Sequence, residues 1–279
     1  MLTLSELKYY NKFDGTDNDV FFQQCIAMAT GNIEAKCKRK FIYNTHTEYF
    51  NIDSRGYYSY ELEDYIPFGF SNNKQAVFLG NLPIVSLTSI EELNSDGTYT
   101  TIFTGTDTIT DSSITNNSTG EVSLIKGYAF PYGNNSTKIV YKAGYKFSQL
   151  TGTVSNSANG NTITGVGTLF TTELSVGDKI IIGNERKTIT TITSNTSLTV
   201  DFNFINANGT AVSYLNNYPD DLRKFCFELA TWIYYQSPHS SKKILGVTSM
   251  NQGGQSNVGI SFEEPNWSDI IQAYKVYNI

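Results

Sequence analysis

The residues of this chain best suited to chemistry are few and scattered. Glu61, Glu63 and Asp64 place three carboxylates close together in sequence. Neighbouring carboxylates can divide acid and base roles or hold Mg²⁺ through their oxygens. They can equally be the solvated face between tyrosine-rich strands. His46 and His239 each stand alone and read as surface or loop residues rather than ligands. No His-Glu-x-x-His or Cys-x-x-Cys spacing occurs, nor a nucleophile elbow, nor a phosphate-cradling Gly-rich loop with its Lys. Gly165-Val166-Gly167 begins like a dinucleotide fingerprint, but the third Gly and the helix are missing, so it reads as a β-turn. Cys25, Cys37 and Cys226 are odd in number, far apart and embedded in helical patterns, which points to buried reduced thiols. The expectation is a protein with no catalytic residue, no metal and no cofactor: not an enzyme.

Two patterns suggest binding. Lys36, Lys38, Arg39 and Lys40 follow a helical stretch. They either compensate the negative end of that helix or make an electrostatic contact with an acidic partner or DNA. Tyr57-Tyr58-Ser59-Tyr60 and Phe68-Gly69-Phe70 are aromatic runs of the kind that anchor interfaces, or that pack sheets. The net charge of −6 argues against a free-standing nucleic-acid binder. It is compatible with a wall along which DNA slides, since like charge prevents sticking. No run of about 18 apolar residues exists, so no membrane span is expected. Met1–Tyr10 reads as a capped helix rather than a signal peptide. Without a secretion signal, the sequons at Asn117 and Asn208 read as turn chemistry.

The elements that must position these residues follow from periodicity. Thr3-Leu4-Ser5-Glu6 has the form of a capping box opening a short helix to about Asn11. Phe22, Cys25, Ile26, Ala29, Ile33 and Cys37 recur at helical spacing, predicting a long helix from about Asn18 to Lys38. From Phe41 to Tyr145 short strands alternate with turns, the clearest at Ala76–Leu79, Ile84–Leu87, Glu121–Ile125 and Lys138–Tyr141. Thr151 to Ser213 differs in composition: it holds none of the 19 Tyr and is filled with Thr, Gly, Ser and Asn. Five or so short strands there predict a small barrel or sandwich. Pro219-Asp220-Asp221 then starts a helix with Leu222, Phe225, Leu229, Trp232 and Ile233 as its buried stripe. Lys243 to Glu264 is glycine-rich and polar, an extended loop. A last short helix from Asn266 to Tyr277 carries Trp267, Ile270, Ile271, Tyr274 and Tyr277 as anchors.

Taken in order, these segments resemble the head–tail connector proteins of tailed phages, the adaptor or head-completion proteins beneath the portal. The segment from Leu2 to Phe41 is similar to the family's N-terminal two-helix signature, with its Asp-Gly turn and basic helix end. Asn81-Leu82-Pro83-Ile84-Val85 is similar to the family's strand after a Leu-Pro step. Residues 138–145, KIVYKAGY, match its Val-x-Tyr-x-Ala-Gly-Tyr strand, and residues 218–235 match the Pro-x-Asp helix that normally follows within a few residues. The departure is the block between them.

The expected fold is therefore α+β: a helical connector core of about four helices with a small antiparallel sheet, plus an inserted all-β barrel or sandwich. Residues 1–150 and 215–279 would be the two parts of the core, and 151–214 the guest. The resemblance implies a structural virion protein at the neck. It would form a roughly twelve-fold ring with its own copies, dock on the portal, extend the DNA channel without specific DNA binding and present a surface to the next tail ring. No membrane is involved. The portal or neighbour contact is expected at Trp267, Ile270, Ile271, Tyr274 and Tyr277, with an electrostatic contact at Lys36, Lys38, Arg39 and Lys40. A competing expectation is a tail or fibre module that binds a host glycan or another tail protein.

Overall fold

The computed structural model describes residues 1–59, 64–67, 76–104, 114–116, 120–123, 129–237 and 264–275. Helices α1 (Leu4–Asn11) and α2 (Asp19–Cys37) come first. There follow β1 (Asn44–Ile52), β2 (Gly56–Ser59), β3 (Asp64–Pro67), β4 (Ala76–Phe78), β5 (Ile84–Leu93), β6 (Tyr99–Thr104), β7 (Ile114–Asn116), β8 (Glu121–Ser123) and β9 (Gly133–Ala143). After them come β10 (Phe147–Gln149), β11 (Thr153–Asn156), β12 (Thr162–Val166), α3 (Phe170–Glu173), β13 (Lys179–Ile182) and β14 (Glu185–Ser194). The chain ends with β15 (Ser197–Val200), β16 (Asn208–Ala211), β17 (Ser213–Asn216), α4 (Asp220–Gln236) and α5 (Ser268–Tyr274).

The expected helical connector core of about four helices with a small sheet is overturned. Among the described residues the protein is mostly β, 41% strand against 26% helix, with five helices and large antiparallel sheets. The reason lies in the strands themselves. β1 (NTHTEYFNI) and β9 (GNNSTKIVYKA) are long but mostly polar, and only part of each faces a core. Short apolar runs therefore understate their length. Paired, they make the centre of a six-stranded sheet ordered β3-β2-β1-β9-β5-β6.

The chain divides into two compact units, Met1–Ile33 with Lys146–Ala273, and Glu34–Tyr145 with Tyr274–Ile279. The second holds the six-stranded sheet and a three-stranded sheet, β4-β8-β7. Its core gathers Phe50, Tyr57, Leu79, Ile90, Phe130, Ile139 and Tyr141, all essentially inaccessible. Asn94 to Gly97 form the turn between β5 and β6, with Gly97 at φ 84°.

In the first unit, an eight-stranded sheet ordered β10-β17-β13-β14-β15-β12-β11-β16 is drawn from residues 147–216 alone. Its core, including Ile163, Phe170, Ile180, Leu198 and Phe204, comes from the same stretch. The sheet has more strands than the five or so expected, because β10, β11, β16 and β17 have few apolar residues to betray them. The long strand β14 pairs with β13 through its first half and with β15 through its second.

The same unit packs α1, the first part of α2, and α4 together. α1 begins with the full capping box: Thr3 takes the Glu6 amide at 3.2 Å, and Glu6 takes the Thr3 amide at 2.9 Å. Replacing Thr3 by Ala should lower stability by about 1 kcal/mol; an unchanged denaturant midpoint would show the cap to be dispensable. Phe13 stacks on Phe22 at 4.6 Å, and both rings meet Tyr234 of α4. The buried stripe of α4 is Leu222, Phe225, Cys226, Leu229, Ala230 and Tyr234. Trp232 and Ile233, expected in that stripe, are half-buried, because the helix turns its Cys226–Ala230–Tyr234 line inward.

Candidate functional site

The expected site residues do not form one exposed patch. Lys36 lies in the last turn of α2 and is exposed, as are Lys38 and Lys40 in the turn after the helix. Lys40 reaches Glu34 at 2.8 Å. Arg39 turns the other way and is buried: its guanidinium lies 4.5 Å from the Phe41 ring centre and 5.6 Å from that of Tyr274. Burial pulls its pKa below the ordinary guanidinium value, partly offset by Tyr145, Cys37 and Tyr274. Arg39 thus packs against aromatic rings, while the three lysines provide the outward charge.

The C-terminal anchors also pack within the chain. Trp267 sets its ring edge-on to Phe225 at 4.8 Å and donates its indole N–H to Glu264 at 2.7 Å. Ile270 is buried, Ile271 is half-buried, and Tyr274 meets Phe41 edge-on at 5.8 Å. Tyr277 lies outside the described residues, as do Glu61, Glu63, His239, Tyr60, Phe68-Gly69-Phe70 and most of the Lys243–Glu264 stretch. Asp64 falls in β3. His46 is in strand β1 rather than a loop, its ring 5.5 Å from that of Tyr141. Among the described residues, no group of three or more His, Cys, Asp or Glu stands where it could hold a metal ion, and no helix is long and apolar enough to cross a membrane. All three cysteines are free and buried. Desolvation pushes Cys25 and Cys226 up to about 11, which makes poor nucleophiles of them.

Three arrangements had no signature in the sequence. The first is a buried carboxylate, Glu48 in β1. It accepts the Gly80 amide at 3.0 Å and the Tyr141 hydroxyl, which in turn accepts the Asn81 amide at 3.1 Å. Burial and the neighbouring Glu48 charge raise the Tyr141 pKa well above the phenol range, so the hydroxyl stays a donor. The network holds the turn after β4 on the sheet.

The second is an ionic cluster in the first unit. Arg186 of β14 donates to the Asn216 carbonyl at 3.0 Å, to the Tyr218 carbonyl and to Asp220 at the start of α4. Arg223, one turn along, reaches Asp220 at 3.2 Å and pairs with buried Glu6 of α1. Lys179 adds a contact to Asp220 at 3.6 Å. Desolvation, with Arg223 nearby, lowers Arg186 to about 10. The cluster ties the eight-stranded sheet to α1 and α4.

The third is the 201–207 loop between β15 and β16. Asp201 accepts the amides of Thr188 and Phe202, both at 3.0 Å, and Glu185 accepts those of Ile205 and Asn206. Phe204 plugs the core while Phe202 and Ile205 stay 69% and 76% exposed. Two large apolar side chains are thus held outward on a pinned loop, which is how interface anchors are prepared.

No protein-family model, no curated protein and no solved structure matches the chain.

Proposed function

We propose that this chain is a structural virion protein, a ring-forming adaptor at the head–tail junction of a tailed phage. It docks beneath the portal, extends the DNA channel and offers a surface to the next tail component. The observation that carries this reading is the meeting of segments from opposite ends of the chain. Two of the stretches that resemble the connector family, residues 2–41 and 218–235, supply α1, the start of α2, and α4, and these pack on one another. Glu6 pairs with Arg223, Asn11 bonds Thr231 at 2.9 Å, and Phe13 and Phe22 enclose Tyr234. Such long-range agreement is what a shared structural unit requires, and the 147–216 sheet is accommodated between its parts. The pinned, exposed Phe202 and Ile205 add support, since a protein that works by contact needs prepared contacts.

In this role no bond is made or broken. Repeated subunit contacts close into a ring when the rotation between neighbours closes. Many weak contacts around that ring make a tight joint through effective concentration. The net charge of −6 suits a lumen that passes DNA without retaining it. Lys36, Lys38 and Lys40 are exposed and offer positive charge to an acidic neighbour, Lys40 while also bonded to Glu34, and Trp267 before α5 and Ile271 within it are half-buried.

The test is electron microscopy of the purified protein, alone and mixed with the portal protein of the same phage. Rings seated on the tail-facing end of the portal are the expected result. A protein that remains monomeric with the portal, or a free trimer that ignores it, would overturn the reading.

A further inference from the structure

At one end of the six-stranded sheet lies a hollow of about 550 Å³, lined chiefly by Asn51, Ile52, Asp53, Tyr58, Tyr132 and Asn134. Its size falls within the range of small-ligand sites. It exists because the β1–β9 ladder breaks there. Phe50 pairs with Thr137 and Ile52 with Gly133, so the single residue Asn51 faces three on β9, Asn134, Asn135 and Ser136. A bulge of this kind opens the sheet and redirects side chains.

The backbone around the opening is held in an unusual form. Asn135 sits at φ 49° and Gly133 at φ 142°. A left-handed non-glycine residue is uncommon and persists only where its surroundings enforce it. Here the Asn51 side chain accepts the Asn135 amide at 2.7 Å, Tyr99 donates its hydroxyl to the Asn135 carbonyl at 2.9 Å, and Ser136 donates to the Pro131 carbonyl at 2.5 Å. On the opposite wall, Asp53 accepts the amides of Arg55 and Gly56 at 2.7 and 3.1 Å and closes the β1–β2 turn. Both walls are therefore built before any ligand arrives.

The lining selects a ligand class. Ile52 is buried beneath it, while the Tyr132 side chain is 61% exposed on a pinned loop. Around these stand short side chains with carboxamide and carboxylate groups, which donate and accept at fixed spacing. Among the described lining residues the one charge is Asp53, and Arg55 lies against it at 3.3 Å. Among the described residues no Lys or Arg lines the hollow, and the neighbouring Arg55 is paired with Asp53, so an anion gains little there. An aromatic surface beside several short polar groups, with little net charge, matches the alternating C–H faces and hydroxyl edges of a neutral sugar. A preformed site matters for such ligands, because each hydroxyl exchanges water for protein with small net gain.

We propose that this hollow is a binding site for a neutral mono- or disaccharide, with Tyr132 as the stacking platform and Asn51, Asp53 and Asn134 as hydroxyl partners. The site is independent of the ring reading and goes beyond it: a chain that forms no ring would still bind sugar here, and a ring without sugar affinity would leave that reading intact.

The experiment titrates the full chain with maltose, lactose and diacetylchitobiose, with sialyllactose and inorganic phosphate as anionic controls, followed by saturation-transfer NMR. At least one neutral disaccharide should bind. Tyr132→Ala should weaken it by about tenfold, the scale of one lost aromatic contact, and Tyr132→Phe should retain it. Asn134→Ala, at an exposed position, should weaken it with an unchanged unfolding midpoint. Failure of every neutral sugar to bind, equal binding of the anionic controls, or affinity indifferent to both Tyr132→Ala and Asn134→Ala would each overturn the proposal.

Discussion

Replacing Arg223 by Ala should destabilise the protein by about 3–5 kcal/mol, the cost of leaving one partner of a buried ion pair alone. The partner is Glu6, and both side chains are close to fully buried, 10% and 5% exposed. Glu6 retains bonds from the Thr3 amide and hydroxyl, at 2.9 and 3.0 Å, but these are neutral donors and leave its charge uncompensated. Asp220 loses one of its cations at the same time, though Arg186 and Lys179 remain. The loss should therefore concentrate on Glu6. Denaturant unfolding of R223A, E6Q and the double variant checks this. The double variant should recover part of the loss, because removing both charges removes the stranded one. Strict additivity would mean the two side chains do not act as a pair.

Gly144→Ala should cost about 2–5 kcal/mol. Gly144 follows β9 and has φ 102°, a conformation that costs an L-residue about 1–2 kcal/mol. A Cβ there would also lie 2.6 Å from the Ile42 carbonyl oxygen and 2.8 Å from that of Phe41. These are backbone atoms of a segment tied down on both sides, the Phe41 carbonyl accepting the Tyr145 amide at 2.7 Å and the Tyr43 amide donating to the Tyr145 carbonyl at 3.0 Å, so they cannot swing aside as a side chain would. Overpacking of this kind adds about 1–3 kcal/mol. The comparison variant is Gly31→Ala: Gly31 lies in α2 with nothing near its missing Cβ, so Ala there should be neutral or stabilising. Equal midpoints for G144A and G31A would refute the steric account.

These predictions mark what could be read from the residues in order. The capping box at Thr3 and the helices α1, α2 and α4 rest on local rules, a side chain meeting its own backbone or an apolar face repeating every few residues. Residues 138–145 were legible as a strand by their match to the connector family, but the reason for Gly144 was not, since Ile42 and Phe41 are about a hundred positions away. The extent of the sheets was not legible at all. In β1 the apolar positions Tyr49, Phe50 and Ile52 occupy only one end, and Thr, His and Asn fill the rest. Such a strand is identified by its partners across the ladder, and they are not its neighbours in sequence.

The expected contact residues show the same division. Lys36, Lys38, Arg39 and Lys40 look equivalent as a run, yet Arg39 alone is folded against Phe41 and Tyr274. Trp267 and Ile270 looked like free anchors and are in part the chain's own packing.

By itself the sequence determined α1, α2, α4 and α5, the cap at Thr3, the change of composition at Thr151, and the order of segments on which the connector reading rests. The tertiary structure alone decided that the protein is mostly sheet, that Glu48 and Glu6 are buried carboxylates with partners 93 and 217 positions away, and that a bulge opposite Asn51 opens a hollow beside Tyr132. The physical reason is range. Helix formation and capping are settled within about four residues of each position, whereas strand pairing, burial of charge and the shape of a hollow depend on groups that only folding brings together.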